Sequence, residues 1–178
     1  YKYKNGAYPT DMSALLGKQD FIDAYNDGKW IDWIDEVSGN TATTQKYSLS
    51  VSSGTEKTKL FASTSYNREE GLLNNENLNR YSLRLNLDQQ IFSWAKVGFT
   101  SNLVYRDLNS GVKNTFTKSL SAIPLGDAST EKGEINHEYI TGQYSPMSDF
   151  IENQYVDNTR STYLNVSGYV ELTPVKDL

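Results

Sequence analysis

Arg80-Tyr81-Ser82-Leu83-Arg84-Leu85-Asn86-Leu87-Asp88 is the stretch whose reading decides the fold. Tyr81, Leu83, Leu85 and Leu87 occupy every second position, with Ser82, Arg84, Asn86 and Asp88 between them. A period of two belongs to an extended strand, whose successive side chains point to opposite faces. One face of this strand is apolar and the other polar. The pattern recurs on either side. Upstream, Tyr47-Leu49-Val51 alternates with Ser48, Ser50 and Ser52, and Leu60-Ala62-Thr64-Tyr66 with Ser63 and Ser65. Downstream, Val97-Phe99-Ser101-Leu103-Tyr105 alternates with Gly98, Thr100 and Asn102. In these four segments the intervening residues read as small or polar. A fifth sets Leu164, Val166, Val170 and Leu172 against Tyr163, Asn165, Ser167, Tyr169 and Glu171.

Each of the first four apolar series has a tyrosine at one end. If successive strands run antiparallel, Tyr47, Tyr66, Tyr81 and Tyr105 fall on one level. A row of tyrosines above an apolar band is what a membrane interface selects. The expected fold is all-β: an antiparallel segment of about five strands from a large transmembrane β-barrel. Long extracellular loops would carry short helices. The four tyrosines would form a lipid-facing aromatic row, and Arg84, Asn86, Asp88, Asn102 and Asn165 would face the lumen. Alternation alone also fits a soluble sheet with one face on a core, so a secreted carbohydrate-binding β-sandwich is the alternative.

The expected organisation follows from turn signals. Residues 1–44 read as an extracellular loop with short helices: one from Thr10 or Asp11 through Leu16, a second from Asp20 to Asp27 closed by Gly28. In a third, Trp30, Trp33, Ile34 and Val37 form one apolar stripe. Residues 45–106 hold four strands, at 45–53, 57–67, 78–89 and 95–106. Residues 107–157 form a long extracellular loop, in which Phe116, Leu120 and Ile123 point to a short helix stopped by Pro124. Residues 158–178 are a strand and a periplasmic turn. The connections alternate short and long, as periplasmic turns and extracellular loops do in bacterial barrels. Five strands cannot close a barrel, and an open edge is not viable in lipid. The chain therefore reads as a fragment of something larger.

Composition agrees. The 178 residues carry a net charge of −5 with a pI near 4.9, against the basic face that nucleic-acid binding needs. Mean hydropathy is −0.62, and no apolar run is long enough for a helical span. A barrel remains compatible, because only alternate residues meet lipid. The absence of cysteine excludes disulfides and thiolate metal sites.

Several motifs carry a family likeness. Asp32-Trp33-Ile34-Asp35-Glu36-Val37 resembles the Asp-Trp-x-Asp-Glu-Val signature of the SusC/RagA family of TonB-linked outer-membrane transporters. Tyr47 to Lys59, Glu69-Glu70-Gly71, Arg80 to Asp88, Trp94 to Gly98 and, more weakly, Ser145-Pro146-Met147 resemble further motifs of that family. Ile31 and Ser53 depart from its pattern. The resemblance implies a 22-stranded barrel with a plug in the bacterial outer membrane. It further implies a SusD-like surface lipoprotein as lid, energy from the TonB complex, and oligosaccharide or peptide as cargo. The plug and TonB box are not in this sequence.

No catalytic, cofactor or metal site is expected. Asp32, Asp35 and Glu36 could be read as paired carboxylates for glycoside hydrolysis, but they lie on the polar side of one short helix. His137 is the single histidine, which rules out a histidine-rich metal site. The acidic stretch Asp127 to Glu134 lacks calcium-loop spacing. Trp30 and Trp33 either stack on sugar rings or anchor their helix to the barrel rim.

Overall fold

The computed structural model describes residues 16–39, 41–152 and 154–173. The expected helix from Thr10 or Asp11, apart from Leu16, and the turn after Thr173 lie outside the described residues. The chain divides into two compact units. One comprises Thr41–Gly71, Glu76–Ser110 and the described part of Asp157–Leu178. The other comprises the described parts of Tyr1–Asn40, Leu72–Asn75 and Gly111–Val156.

The first unit is a five-stranded antiparallel sheet. Its strands are β1 (Thr43–Gly54), β2 (Thr58–Glu70), β3 (Glu76–Phe92), β4 (Ala95–Ser110) and β7 (Asn158–Leu172), in the order β1-β2-β3-β4-β7. Serine, threonine, tyrosine and aliphatic residues in strict alternation favour this pleated arrangement. The β1–β2 turn is closed by Thr55 N–H on the Thr58 carbonyl at 2.7 Å, and the Thr55 hydroxyl accepts from Thr58 N–H at 3.0 Å. Strands β2, β3 and β4 run further than their sequence patterns indicate. The β2–β3 connection shrinks to 71–75, with Gly71 N–H bonded to the Glu76 carbonyl at 2.8 Å. Cross-strand hydrogen bonding carries the strands past the point where alternation fades.

Register puts like with like. Tyr47 pairs with Tyr66, Tyr66 with Tyr81, and Tyr81 with Tyr105. One pleat below come Leu49, Thr64, Leu83, Leu103 and Leu164, then Val51, Ala62, Leu85, Ser101 and Val166. The expected polarity of the opposite face needs correction at Phe61, at Val104 and at the register pair Leu78 and Leu108. Phe61 and Val104 fall on it, Phe61 between Ser52 and Asn86, Val104 between Ser82 and Tyr163.

The second unit has its own apolar core of Phe21, Ala24, Trp33, Val37, Leu125, Tyr139, Ile140 and Met147. Helix α1 (Gln19–Asn26) buries Phe21 and Ala24 and ends before Gly28, whose φ of +68° suits a residue without Cβ. Helix α2 (Trp33–Ser38) buries Trp33 and Val37, one turn apart. Trp30 is not part of this helix, contrary to the sequence pattern: it is 62% exposed and forms a β-bridge with Leu125. Helix α3 (Thr115–Ser121) is turned the other way from the expected stripe. It buries Thr115 and Ser119, while Phe116 and Leu120 are exposed. A two-stranded ribbon, β5 (Glu138–Ile140) with β6 (Gln143–Tyr144), completes this unit. No described helix is long and apolar enough to cross a membrane.

Candidate functional site

The sheet has two chemically distinct faces, and its candidate function lies in that difference. On the first, the four tyrosine rings form a ladder. Centroids are 6.4 Å apart from Tyr47 to Tyr66, 4.9 Å from Tyr66 to Tyr81 and 6.1 Å from Tyr81 to Tyr105. Tyr66 donates its hydroxyl proton to Asn79 Oδ1 at 2.8 Å. The rows below are aliphatic apart from Thr64 and Ser101, and their large side chains are open to the surroundings: Leu49 is 73% exposed, Leu83 52% and Leu164 62%. So large a contiguous apolar face marks a surface meant for something other than water.

The far end of the sheet carries a second aromatic group. Phe92 and Trp94, at the β3–β4 turn, stack at 5.3 Å. From Tyr81 to Phe92 the chain advances by about 36 Å at ~3.3 Å per residue. A strand tilt of about 40° reduces this to ~28 Å along the normal, close to the apolar band of outer-membrane barrels between its aromatic girdles.

The opposite face is polar. Arg84, Asn102 and Asn165 fall in one row, which continues through Ser63 and Ser50. Asn86 lies two positions along β3, and its Oδ1 is shielded without a hydrogen-bond partner among the described residues. Asp88 accepts a hydrogen bond from Tyr169. All five residues expected to line a lumen thus share one face. A further row, Lys46, Asn67, Arg80 and Arg106, lies on the same face. Sequence reasoning passed over it, although Arg80 has the same parity as Arg84.

The Asp32 to Val37 motif has a structural account. Asp32 caps α2, its Oδ1 accepting from Ile34 N–H at 2.9 Å and Asp35 N–H at 3.3 Å. Asp35 and Glu36 stand in the first turn, where the helix dipole favours carboxylates. Trp33 is buried to 3% exposure, donates its indole N–H to the Ile123 carbonyl at 2.9 Å, and meets the Tyr139 ring edge-on at 4.9 Å. The expectation that Trp33 stacks on a sugar ring gives way to this core role. A side chain with so little exposed surface has no ring face left for a ligand. Ser145 and Met147 of the weaker motif are buried too, with Ser145 Oγ accepting from Met147 N–H at 3.1 Å. Within the acidic stretch, Asp127 holds Lys29 at 2.7 Å, and that hydrogen bond raises the ammonium pKa. The described residues contain no cluster of three or more histidine or acidic side chains fit to hold a metal.

No family profile matches the chain. It is 27% identical over 147 residues to a TonB-dependent receptor, P26, of Formosa agariphila. That alignment covers 80% of this chain and 14% of the receptor. The likeness supports the TonB-dependent receptor family in general.

Proposed function

We propose that this chain forms part of the barrel wall of an outer-membrane, TonB-dependent transporter of the SusC/RagA type. The observation that carries the reading is the tyrosine ladder, set in register at one end of a continuous exposed apolar face. In a secreted β-sandwich a second sheet would cover that face; here Leu49, Leu83 and Leu164 are uncovered. Lipid is the solvent that satisfies it, with the tyrosines at the headgroup level. The polar face is then the channel side. The distant likeness to a TonB-dependent receptor supports transport rather than catalysis.

The cargo is an oligosaccharide or peptide, and the partners are a SusD-like surface lipoprotein and the TonB complex. These rest on the motif resemblance. Outer-membrane cells expressing the complete receptor test them. Growth on an oligosaccharide or peptide cargo should disappear on deletion of TonB and fall on deletion of the neighbouring lipoprotein. Uptake unchanged without TonB would refute the reading.

A further inference from the structure

The polar face carries a row of cations that form no ion pair among the described residues, with the single carboxylate of Glu69 beside them. Lys46, Asn67, Arg80 and Arg106 are register partners on four successive strands. Arg80 and Arg106 stand directly opposite one another, and like charges so placed destabilise a strand pair. Among the described residues neither forms an ion pair, nor do Lys46 and Arg84. Arg68, Lys96 and Arg160 of the same sheet do, with Glu70, Glu171 and Asp107. Glu69, on the same face of β2 as Asn67, is already bonded to the Asn67 amide at 2.6 Å. The neighbouring row, Ser48, Ser65 and Ser82, is short. It leaves a hollow of about 390 Å³ lined by Lys46, Ser65, Asn67, Glu69, Arg80 and Ser82. A chain of net charge −5 has concentrated unpaired cations at one level of one face.

We propose that this row binds an anionic oligomer, a saccharide chain bearing carboxylate or sulfate groups. The proposal rests on the polar face being the channel side. Arginine presents a fork of donors that matches either group in two parallel hydrogen bonds. Lys46 and Arg80 are two strands apart, ~10 Å, and Arg84 lies about 13 Å further along β3. That spacing suits charges repeated along an extended chain better than a single small ion. Lipid headgroups are not the ligand. Each cation neighbours a ladder tyrosine in sequence, so it points away from the tyrosine face.

The complete receptor in detergent, titrated calorimetrically, tests this. The probes are oligogalacturonate, a sulfated dextran oligomer and an unmodified dextran oligomer. At least one anionic probe should bind about tenfold or more tighter than neutral dextran, and its affinity should fall as salt rises. The double variant R80Q/R106Q should weaken anionic binding about tenfold or more, and R80K/R106K should retain most of it. Removing the facing charges should also leave the barrel as resistant to urea as wild type, or more so. Neutral dextran binding as tightly as both anionic probes would overturn the proposal. So would unchanged anionic affinity in R80Q/R106Q. A destabilised R80Q/R106Q barrel would overturn it too, by showing that the receptor's own carboxylates neutralise the row. A receptor that prefers neutral cargo would still be a barrel transporter, so these failures leave the wall reading intact.

Discussion

Tyr169 on β7 donates its hydroxyl proton to Asp88 on β3 at 2.8 Å, reaching over the intervening strand. Gly98 on β4 is what permits it: Asp88, Gly98 and Tyr169 form one register row, and a Cβ at Gly98 would overlap the Tyr169 ring. Lys96 sits 5.5 Å from the centre of the same ring. An empty position on the central strand thus lets one aromatic side chain tie three strands together.

Gly98→Leu should therefore expel the ring and break the bond to Asp88, costing about 1–3 kcal/mol by overpacking. Tyr169→Phe keeps the ring on Gly98 and loses only the hydrogen bond, worth roughly 0.5–1.5 kcal/mol. Urea unfolding of the complete barrel in lipid should show Gly98→Leu as the more damaging change.

The same comparison across the two faces concerns depth. Leu85 lies four residues below Tyr81, about 10 Å beneath the aromatic level at a tilt of ~40°. Leu85→Arg should cost about 2–4 kcal/mol in a reconstituted barrel. Thr100→Arg, on the opposite face, should cost much less, because a charge there meets the channel side. Equal costs would remove the distinction between the faces.

In the second unit, Asp32→Ala removes the α2 cap and should cost about 0.5–2 kcal/mol. Trp33→Ala should cost about 3–5 kcal/mol, since it empties a buried site and removes the indole hydrogen bond to the Ile123 carbonyl. Near-ultraviolet circular dichroism of the complete receptor, followed against temperature, should show the larger loss for Trp33.

What could be read from the sequence was whatever repeated with a short period. Tyr81-Leu83-Leu85-Leu87 and its neighbours gave five strands and the level tyrosine row, because a period of two leaves only one way to share a face. The core of the second unit was not legible. Its members Phe21, Trp33, Leu125, Tyr139 and Met147 come from distant segments, one or two residues each, with no period to link them. The stripes that did show a helical period marked two helices, but only part of their facing held. Trp30 leaves its stripe to bridge Leu125, and Phe116 with Leu120 turns outward. On the polar face, the unpaired row of Lys46, Arg80 and Arg106 became visible only once register placed three separate strands side by side.

Chain direction gives a topological prediction. The β1–β2 and β3–β4 connections are tight turns, whereas β4 and β7 are joined through 111–157. In intact cells expressing the complete receptor, an epitope tag at residue 130 should be reached by antibody, and a tag at 55 should not. The reverse pattern would invert the barrel.

The most direct measurement of the central claim is the alternation of lipid contact along β3. Single cysteines at positions 83, 84, 85, 86 and 87 of the complete, otherwise cysteine-free receptor would be exposed to a thiol reagent confined to the bilayer core. Labelling at 83, 85 and 87 with protection at 84 and 86 is the predicted result. Uniform labelling, or labelling at 84 and 86 instead, would contradict a wall whose tyrosine-and-leucine face meets lipid.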